Sequence, residues 1–438
     1  MKLKIHRGTQ EIGGSCVEIW TDNTRIIVDI GMPLVNPDGS PFDSREVHDR
    51  SVSDLVDDKT LPDIRGLYDS DETSVDAVLI SHPHLDHYGL GEFVDKEIPF
   101  YIGKSANDLI NITRMFSRDE KGLKIHKPIY YKHKTPFRIG DIEITPYLKD
   151  HSAFDAYGFL IEGDNKRVYY SGDFRSNGRK KVLHEKFIEN PPINIDYLIL
   201  EGTNIDQPTK QTSDEEDLEA DLVELFRDSN KFAVIQMSSQ NIDRLVSLFK
   251  ACIKTERILI LDIYTAFIIE TLTNNGFGFP PPSQRHDNLR TYMTHGYAEI
   301  LEQNGFRPTL NKFAKHKIKP KEIDINPGKY VMIIRPSLKK ELMYMKNIDS
   351  GDYIYSMWTG YKEQSSMKRF SEYLTENRQF TSHDIHTSGH ADVKTLKELA
   401  DAINPKFIIP IHTFSRDKYD EIFSQPIKLI NDGEVVKV

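Results

Sequence analysis

A short apolar run, residues 75–80, ends in Ser81-His82-Pro83-His84-Leu85-Asp86-His87, and this junction constrains the fold more than any other stretch. The run has the length and apolar content of a buried strand. Its end delivers four metal-ligating side chains, His82, His84, Asp86 and His87, to one point of the backbone. Imidazoles and a carboxylate crowded there would repel, or sit desolvated without partners, unless cations lay between them. Divalent ions of the zinc type satisfy imidazole nitrogen and carboxylate oxygen in compact sites. The bland alternative is a surface loop that happens to be rich in histidine. With 16 histidines in 438 residues, this spacing is hard to reach by chance.

The chain before and after this junction reads as β-rich. Residues 3–8, 16–21 and 24–29 are short strand-like runs broken at Gly13-Gly14 and Asp22-Asn23. Asp29 closes the third run, where a carboxylate is costly unless paired, and Gly31 lets the backbone turn sharply. Taken alone, Asp29 reads more often as a strand-end turn residue. Residues 35–74 are polar and rich in Asp, Pro and Ser, as expected of a rim or lid. A helix is expected over 106–119, and strands near 128–131 and 142–148. His151 follows the second of these strands. Residues 157–162 and 167–170 form the next hairpin, which ends at Ser171-Gly172-Asp173-Phe174. His151 and Asp173 therefore each sit just after a strand, as His82 does, and ligands from several strand ends on one edge can converge. Residues 195–200 form another strand, ending in Glu201-Gly202-Thr203.

Beyond residue 203 the pattern changes. Ser213-Asp214-Glu215-Glu216 reads as a capping box opening a helix to about residue 228. Strands at 232–236 and 258–262 alternate with helices at 241–253 and 264–272, the signature of a Rossmann-like layer. Residues 274–288, with three consecutive prolines, read as a surface linker; 330–334 and 353–358 supply further strands. A helix over 365–377 is expected to lead out of this insert. His386-Thr387-Ser388-Gly389-His390 follows, then a helix at 392–402, a strand at 406–411 ending in His412, and a hairpin over 427–438 around Asp432-Gly433. Ser238, Ser239 and Asn241 stand at a strand-to-helix turn, as a cap or as an anion site at a helix N-terminus. Lys312, Lys315, Lys317, Lys319 and Lys321, and Arg175, Arg179, Lys180 and Lys181, are basic stretches. Each is a solvated face, or a rail for a polyanion if it flanks the cleft.

The length implies two or three domains. The start lacks the apolar core of a signal peptide, and no run approaches the ~20 apolar residues of a membrane helix. Cys16 and Cys252 do not make a disulfide framework, so a cytoplasmic, reducing compartment with no membrane association is expected. A formal net charge of −10 weighs against an electrostatic nucleic-acid coat protein but not against an enzyme that grips a polyanion locally.

The pattern H-x-H-x-D-H at 82–87 resembles the signature of the metallo-β-lactamase superfamily. Glu201 after its strand, the Ser-Gly-His loop ending in His390, and the Pro-Ile-His strand end at His412 are similar to the added motifs of its β-CASP branch. Within that branch, His386-Thr387-Ser388-Gly389-His390 and Asp432-Gly433-Glu434-Val435-Val436 resemble ribonuclease J. The resemblance implies an αββα sandwich with an inserted Rossmann-like cap. The expected segments are 1–203 for the first part of the lactamase domain, 204–364 for the cap and 365–438 for the remainder.

The family pattern further implies two zinc ions per chain, with manganese as the alternative. His82, His84 and His151 would hold one ion, Asp86, His87 and His412 the other, and Asp173 would bridge them. Asp29 would brace the metal loop. A metal-activated water would be the nucleophile and His390 the general acid, oriented by Glu201. His386, Ser388 and Gly389 would cradle an adjacent phosphate, with Ser238 and Ser239 contributing. The implied function is hydrolysis of single-stranded RNA, exonucleolytic with endonuclease activity. DNA, or a small ester or thioester, is the alternative substrate, and a non-catalytic RNA-binding scaffold is a third reading. The sequence departs from ribonuclease J by ending before an extra C-terminal domain that supports dimerisation. It also lacks a Pro-Gly-Asn-Glu pattern near 355–360. A homodimer and the preferred RNA end are therefore left open.

Overall fold

The computed structural model describes residues 1–36, 39–68, 74–117, 122–207 and 213–438. Part of the 35–74 excursion and the end of the helix expected over 106–119 lie outside these residues. Two units are present, Met1–Gln211 with Gly389–Val438, and Thr212–Ser388.

The first unit stacks two mixed sheets. One has seven strands in the order Val435–Lys437, Lys2–Arg7, Cys16–Trp20, Arg25–Val28, Ala77–Ile80, Phe100–Ile102, Pro128–Tyr130. The other has six, in the order Phe407–Ile411, Tyr197–Glu201, Lys166–Tyr170, Tyr157–Gly163, Ile142–Leu148, Phe137–Ile139. Side chains alternate along a strand, and here both faces are apolar. Ile26, Val28 and Leu79 meet Ile144, Phe159, Ile161 and Ile199 between the sheets. Ile27, Val78 and Ile80 point the other way and pack with Ala106 and Ile110 of the helix Lys104–Ser117. Leu160, Leu198 and Leu200 pack outward with Phe187 and with Leu396 and Leu399 of the helix Val393–Ile403. This is an αββα sandwich.

The second unit is built on a seven-stranded sheet, all parallel, in the order Lys317–Ile318, Leu289–Tyr292, Ile258–Asp262, Tyr330–Ile334, Phe232–Gln236, Gly351–Tyr355, Phe380–Asp384. Arg244, fully buried, holds its C-terminal segment. It pairs with Glu215 at 3.0 Å and donates to the Ser356 and Thr387 carbonyls, each at 3.2 Å.

Three details differ from the sequence reading. The insert extends past residue 364 to Ser388. Phe380–Asp384 adds to its sheet beside Gly351–Tyr355, and Phe370, Leu374 and Phe380 pack in its core. This edge strand is mostly exposed and polar, so it carries no apolar alternation to announce it. The residues at 427–438 do not form a hairpin. Ile427 bridges to Ile408, whereas Val435–Lys437 crosses to the other sheet and pairs with Lys2–Arg7. An open strand edge was the better partner. The capping box is shifted by one residue: Asp214 accepts from the amides of Glu216 and Asp217, and Asp217 answers on the Asp214 amide.

Candidate metal centre

Four loops, each following a strand of the first unit, bring the expected ligands together. His82, His84, Asp86 and His87 follow Ala77–Ile80, and His151 comes three residues after Ile142–Leu148. Asp173 follows Lys166–Tyr170, and His412 follows Phe407–Ile411. Ligand atoms of His82, His84 and His151 all lie within 4.8 Å of one another, as do those of Asp86, His87, Asp173 and His412. His82, His87, His151 and His412 are at most 1% exposed.

The spacings test whether a cation fits. Tetrahedral bonds of about 2.0–2.1 Å place neighbouring ligand atoms about 3.3–3.4 Å apart. His84 Nδ1 is 3.2 Å from His151 Nε2, His87 Nε2 is 3.1 Å from Asp173 Oδ2, and His412 Nε2 is 3.2 Å from Asp86 Oδ2. Asp173 Oδ2 also lies 3.7 Å from His82 Nε2 and 3.9 Å from His412 Nε2, so it stands between the two clusters. Among the described residues, His82 Nε2 is buried with no hydrogen-bond partner, which a native core rarely tolerates. The donor set fits divalent cations.

The electrostatics agree for three of the histidines; His87 differs, since burial would depress it but Asp173 and Asp29 hold it well above the ordinary range. Burial, reinforced by the neighbouring imidazoles, pushes His82 and His151 well below the ordinary histidine range. Burial likewise takes His84 down to about 4. Neutral imidazole is the form that binds a metal. Burial would raise the Asp86 and Asp173 carboxyls, but the surrounding histidines outweigh it and hold both far down, as anions.

A second layer orients this set. Asp29, fully buried, accepts from the Ser81 amide (2.7 Å), the Ser81 hydroxyl (2.7 Å) and the Tyr170 hydroxyl (2.8 Å). His87 Nδ1 lies 2.8 Å from Asp29 Oδ2, so its Nε2 is turned toward Asp86 and Asp173. Asp29 and His412 both have left-handed backbones, φ 60° and 55°, a strain typical of functional turns. Gly31 has a steric reason: a Cβ there would lie 1.7 Å from the Asp86 carbonyl oxygen.

Glu201 and His390 also meet here, His390 Nδ1 lying 3.2 Å from Glu201 Oε2 and 3.7 Å from Asp173 Oδ2. Burial alone would depress His390, but Glu201 and Asp173 raise it to about 9. Gly389 passes close to the His151 loop; a Cβ on it would lie 2.5 Å from Ser152 Oγ. His386 and Ser388 belong to the second unit, where His386 Nδ1 is 3.3 Å from Arg244 Nη1. Ser238 and Ser239 belong to it as well. The Ser238 hydroxyl accepts from the Gln240 amide, and buried Ser239 bonds Thr265 Oγ1 at 2.6 Å.

Sequence reasoning missed Thr203 and Tyr170. The Thr203 hydroxyl touches Glu201 Oε2 (2.9 Å), His390 Nδ1 (3.2 Å) and His412 Nδ1 (2.9 Å), tying the three together. Its position two residues after Glu201 was the available signal. Tyr170 reads as a strand residue, and no local feature announces its bond to Asp29.

Comparison with known proteins agrees with this architecture. The family profile described as a Beta-lactamase superfamily domain matches residues 59–222. Ribonuclease J of Mycoplasma pneumoniae is 21% identical over 94% of this chain and 67% of its own. Ribonuclease J of Helicobacter pylori is 22% identical over 100% of this chain and 61% of its own. Cleavage and polyadenylation specificity factor subunit 3 of Dictyostelium discoideum is 25% identical over 44% of this chain and 24% of its own. The chain thus spans about two thirds of the length of these ribonuclease J relatives. In fold, it resembles a crystal structure of a protein of unknown function from Enterococcus faecalis V583, with a TM-score of 0.81, 22% identity and 99% coverage of both chains.

The sandwich and its ligand set define the class, a metal-dependent hydrolase. Residues 59–222 match a beta-lactamase superfamily domain, the whole resembles the β-CASP branch of the metallo-β-lactamases, and the sequence is similar to ribonuclease J across nearly its whole length. Among the described residues, no helix is long and apolar enough to cross a membrane.

Proposed function

We propose that this chain is a zinc-dependent, cytoplasmic nuclease that hydrolyses phosphodiester bonds of single-stranded RNA, with two ions per chain. The observation that carries this reading is the meeting of seven ligands with a Glu201–His390 pair in one buried site. The ribonuclease J similarity supports RNA as the polymer. A small-ester hydrolase would need the ligands alone and would leave Glu201, His390 and the insert without a task.

Bound divalent ions would supply Lewis acidity and an activated water. His82, His84 and His151 would hold one, Asp86, His87 and His412 the other, with Asp173 serving both. The chain's own part is positioning and proton transfer. Asp29 fixes the His87 tautomer by taking Nδ1, leaving Nε2 for a metal. A ribose alkoxide leaves poorly without a proton. His390, kept charged by Glu201, carries one on Nε2 that it can give to the leaving oxygen. Burial of the ligands excludes bulk water, which strengthens each of these interactions.

The test offers metal-loaded protein end-labelled single-stranded RNA, matching DNA and a generic thioester, beside Asp86→Ala. RNA cleavage abolished by the substitution supports the proposal. Cleavage of DNA in preference to RNA would reassign the polymer, thioester turnover alone would reassign the reaction, and tight RNA binding without turnover would make the chain a scaffold.

A further inference from the structure

The second unit concentrates positive charge at one edge of its sheet. From Gln303 to Lys321 the sequence carries six cations, Arg307, Lys312, Lys315, Lys317, Lys319 and Lys321, and no carboxylate, in a chain of formal net charge −10. The helix Arg307–Ala314, the edge strand Lys317–Ile318 and the helix Pro320–Ile325 carry or flank them in turn. All six are exposed. Phe313, Ile318 and Ile323, at most 5% exposed, are buried beneath and fix which way the backbone faces. Lys317 and Lys319 stand on the side of the strand opposite Ile318, about 6.6–6.8 Å apart along it. Glu302 and Glu322 bound the run, and Arg307 lies 3.9 Å from Glu302. Among the described residues, none of the five lysines has an ion pair or a side-chain hydrogen bond.

Local stability accounts for only part of this. Lys312, in the last turn of its helix, suits the macrodipole, and Lys317, on an edge strand, deters pairing with another chain. Neither role needs five lysines in succession with no acid among them. Solvated faces interleave both signs, because like charges within a Debye length of about 8–10 Å repel. A polyanion relieves that repulsion and releases its own condensed counterions. An extended single strand has the matching form: its successive phosphates are separated by a step similar to that between Lys317 and Lys319, and flexible lysines follow it as point charges. An aromatic side chain stands beside the row. Asp324, in the helix that carries Lys321, accepts from the Lys346 and Asn347 amides, each at 3.2 Å, which lays the turn at 343–347 against that helix. Tyr344 in this turn is 62% exposed. An exposed ring on which a base stacks, next to cations that track the backbone, is how single strands are held without reading their sequence.

We propose that Lys312, Lys315, Lys317, Lys319 and Lys321, with Tyr344, form a binding surface for single-stranded RNA on the second unit. The choice of RNA rests on the nuclease reading, whereas the polyanion surface rests on charge, exposure and the neighbouring ring. The lysines hold the backbone and Tyr344 holds a base, and none of them takes part in the chemistry of cleavage.

The test measures binding of a fluorescent, cleavage-resistant single-stranded oligoribonucleotide to the metal-loaded full chain by anisotropy, over a range of salt concentrations. One variant replaces the five lysines together with glutamine. A control replaces five exposed lysines of the first unit, Lys2, Lys59, Lys132, Lys134 and Lys437, in the same way. Circular dichroism and metal content confirm that both chains are folded. The five-lysine variant is expected to bind about tenfold or more weakly, and its plot of log affinity against log salt is expected to flatten by about 0.7 for each lysine that meets a phosphate. Tyr344→Ala is expected to weaken binding about fivefold or more with the salt slope unchanged. Unchanged affinity and slope in the five-lysine variant, or equal losses in the control, overturns the proposal. Loss of binding to phosphatidylserine vesicles in that variant, with RNA affinity retained, also overturns it and makes the surface membrane-facing. RNA bound through these lysines by a chain that cleaves none would overturn the nuclease reading and support this surface.

Discussion

Asp29→Asn probes the metal centre at the point where folding and function share one side chain. Asparagine tolerates the left-handed backbone at φ 60°, so the substitution isolates the side chain. It also keeps Oδ1 for the Ser81 amide. The other oxygen, which receives the Ser81 hydroxyl, the Tyr170 hydroxyl and the His87 imidazole, becomes an NH2 group facing three donors. Hydrogen bonds to a charged acceptor contribute about 1.5–3 kcal/mol each, so losing all three would cost roughly 5–9 kcal/mol. Both hydroxyls can rotate to accept, and His87 can change tautomer, which lowers the expected loss to about 2–4 kcal/mol. The tautomer change turns the wrong nitrogen state toward the metal, and metal affinity should fall about 10–100-fold. Trp20 and Trp358, the only tryptophans, lie one in each unit. Urea unfolding in a Trp358→Phe background therefore reads the first unit alone, and competitive chelator titration reads the metal. An Asp29→Asn chain that unfolds within about 0.5 kcal/mol of its parent and retains full metal affinity would refute the assignment of Asp29 as the brace.

Three further outcomes are expected. His390→Ala should keep its metal content and lose about 10²–10⁴ in phosphodiester cleavage, the usual contribution of a general acid; loss of a metal equivalent would make His390 a ligand instead. Gly31→Ala should displace the Asp86 loop, because the added carbon meets the Asp86 carbonyl, and metal analysis should then show depletion of the Asp86 site even where circular dichroism shows a folded chain. Glu18 is held below the ordinary glutamate range: burial would raise it, but bonds from His6 and Arg25 prevail. Its contribution to stability should be present above the unfolded pKa and be lost as the pH falls through the lower folded value. A Glu18→Gln chain should lack that acid-side dependence in pH-resolved denaturation.

Local chemistry was enough to expose the first part of the site. His82, His84, Asp86 and His87 lie together in sequence because one strand end delivers them, and His151, Asp173 and His412 each follow a strand for the same reason. The two-layer sandwich and the parallel insert were legible from continuous apolar runs such as 77–80 and 232–236, which only sheets covered on both faces require. The strand at 380–384 was not legible, because an exposed edge needs backbone pairing and no apolar stripe.

What the sequence determined by itself was the inventory of candidate ligands, the order of the elements and the point where one architecture gives way to another, since each is written in short-range pattern. Only the tertiary structure decided which side chains share a proton or a charge. Tyr170 reaches Asp29 across 141 positions, Thr203 reaches His412 across 209, and Arg335 finds Ser239 across 96. Contacts of that span arise from sheet order and helix packing, and no local periodicity encodes them.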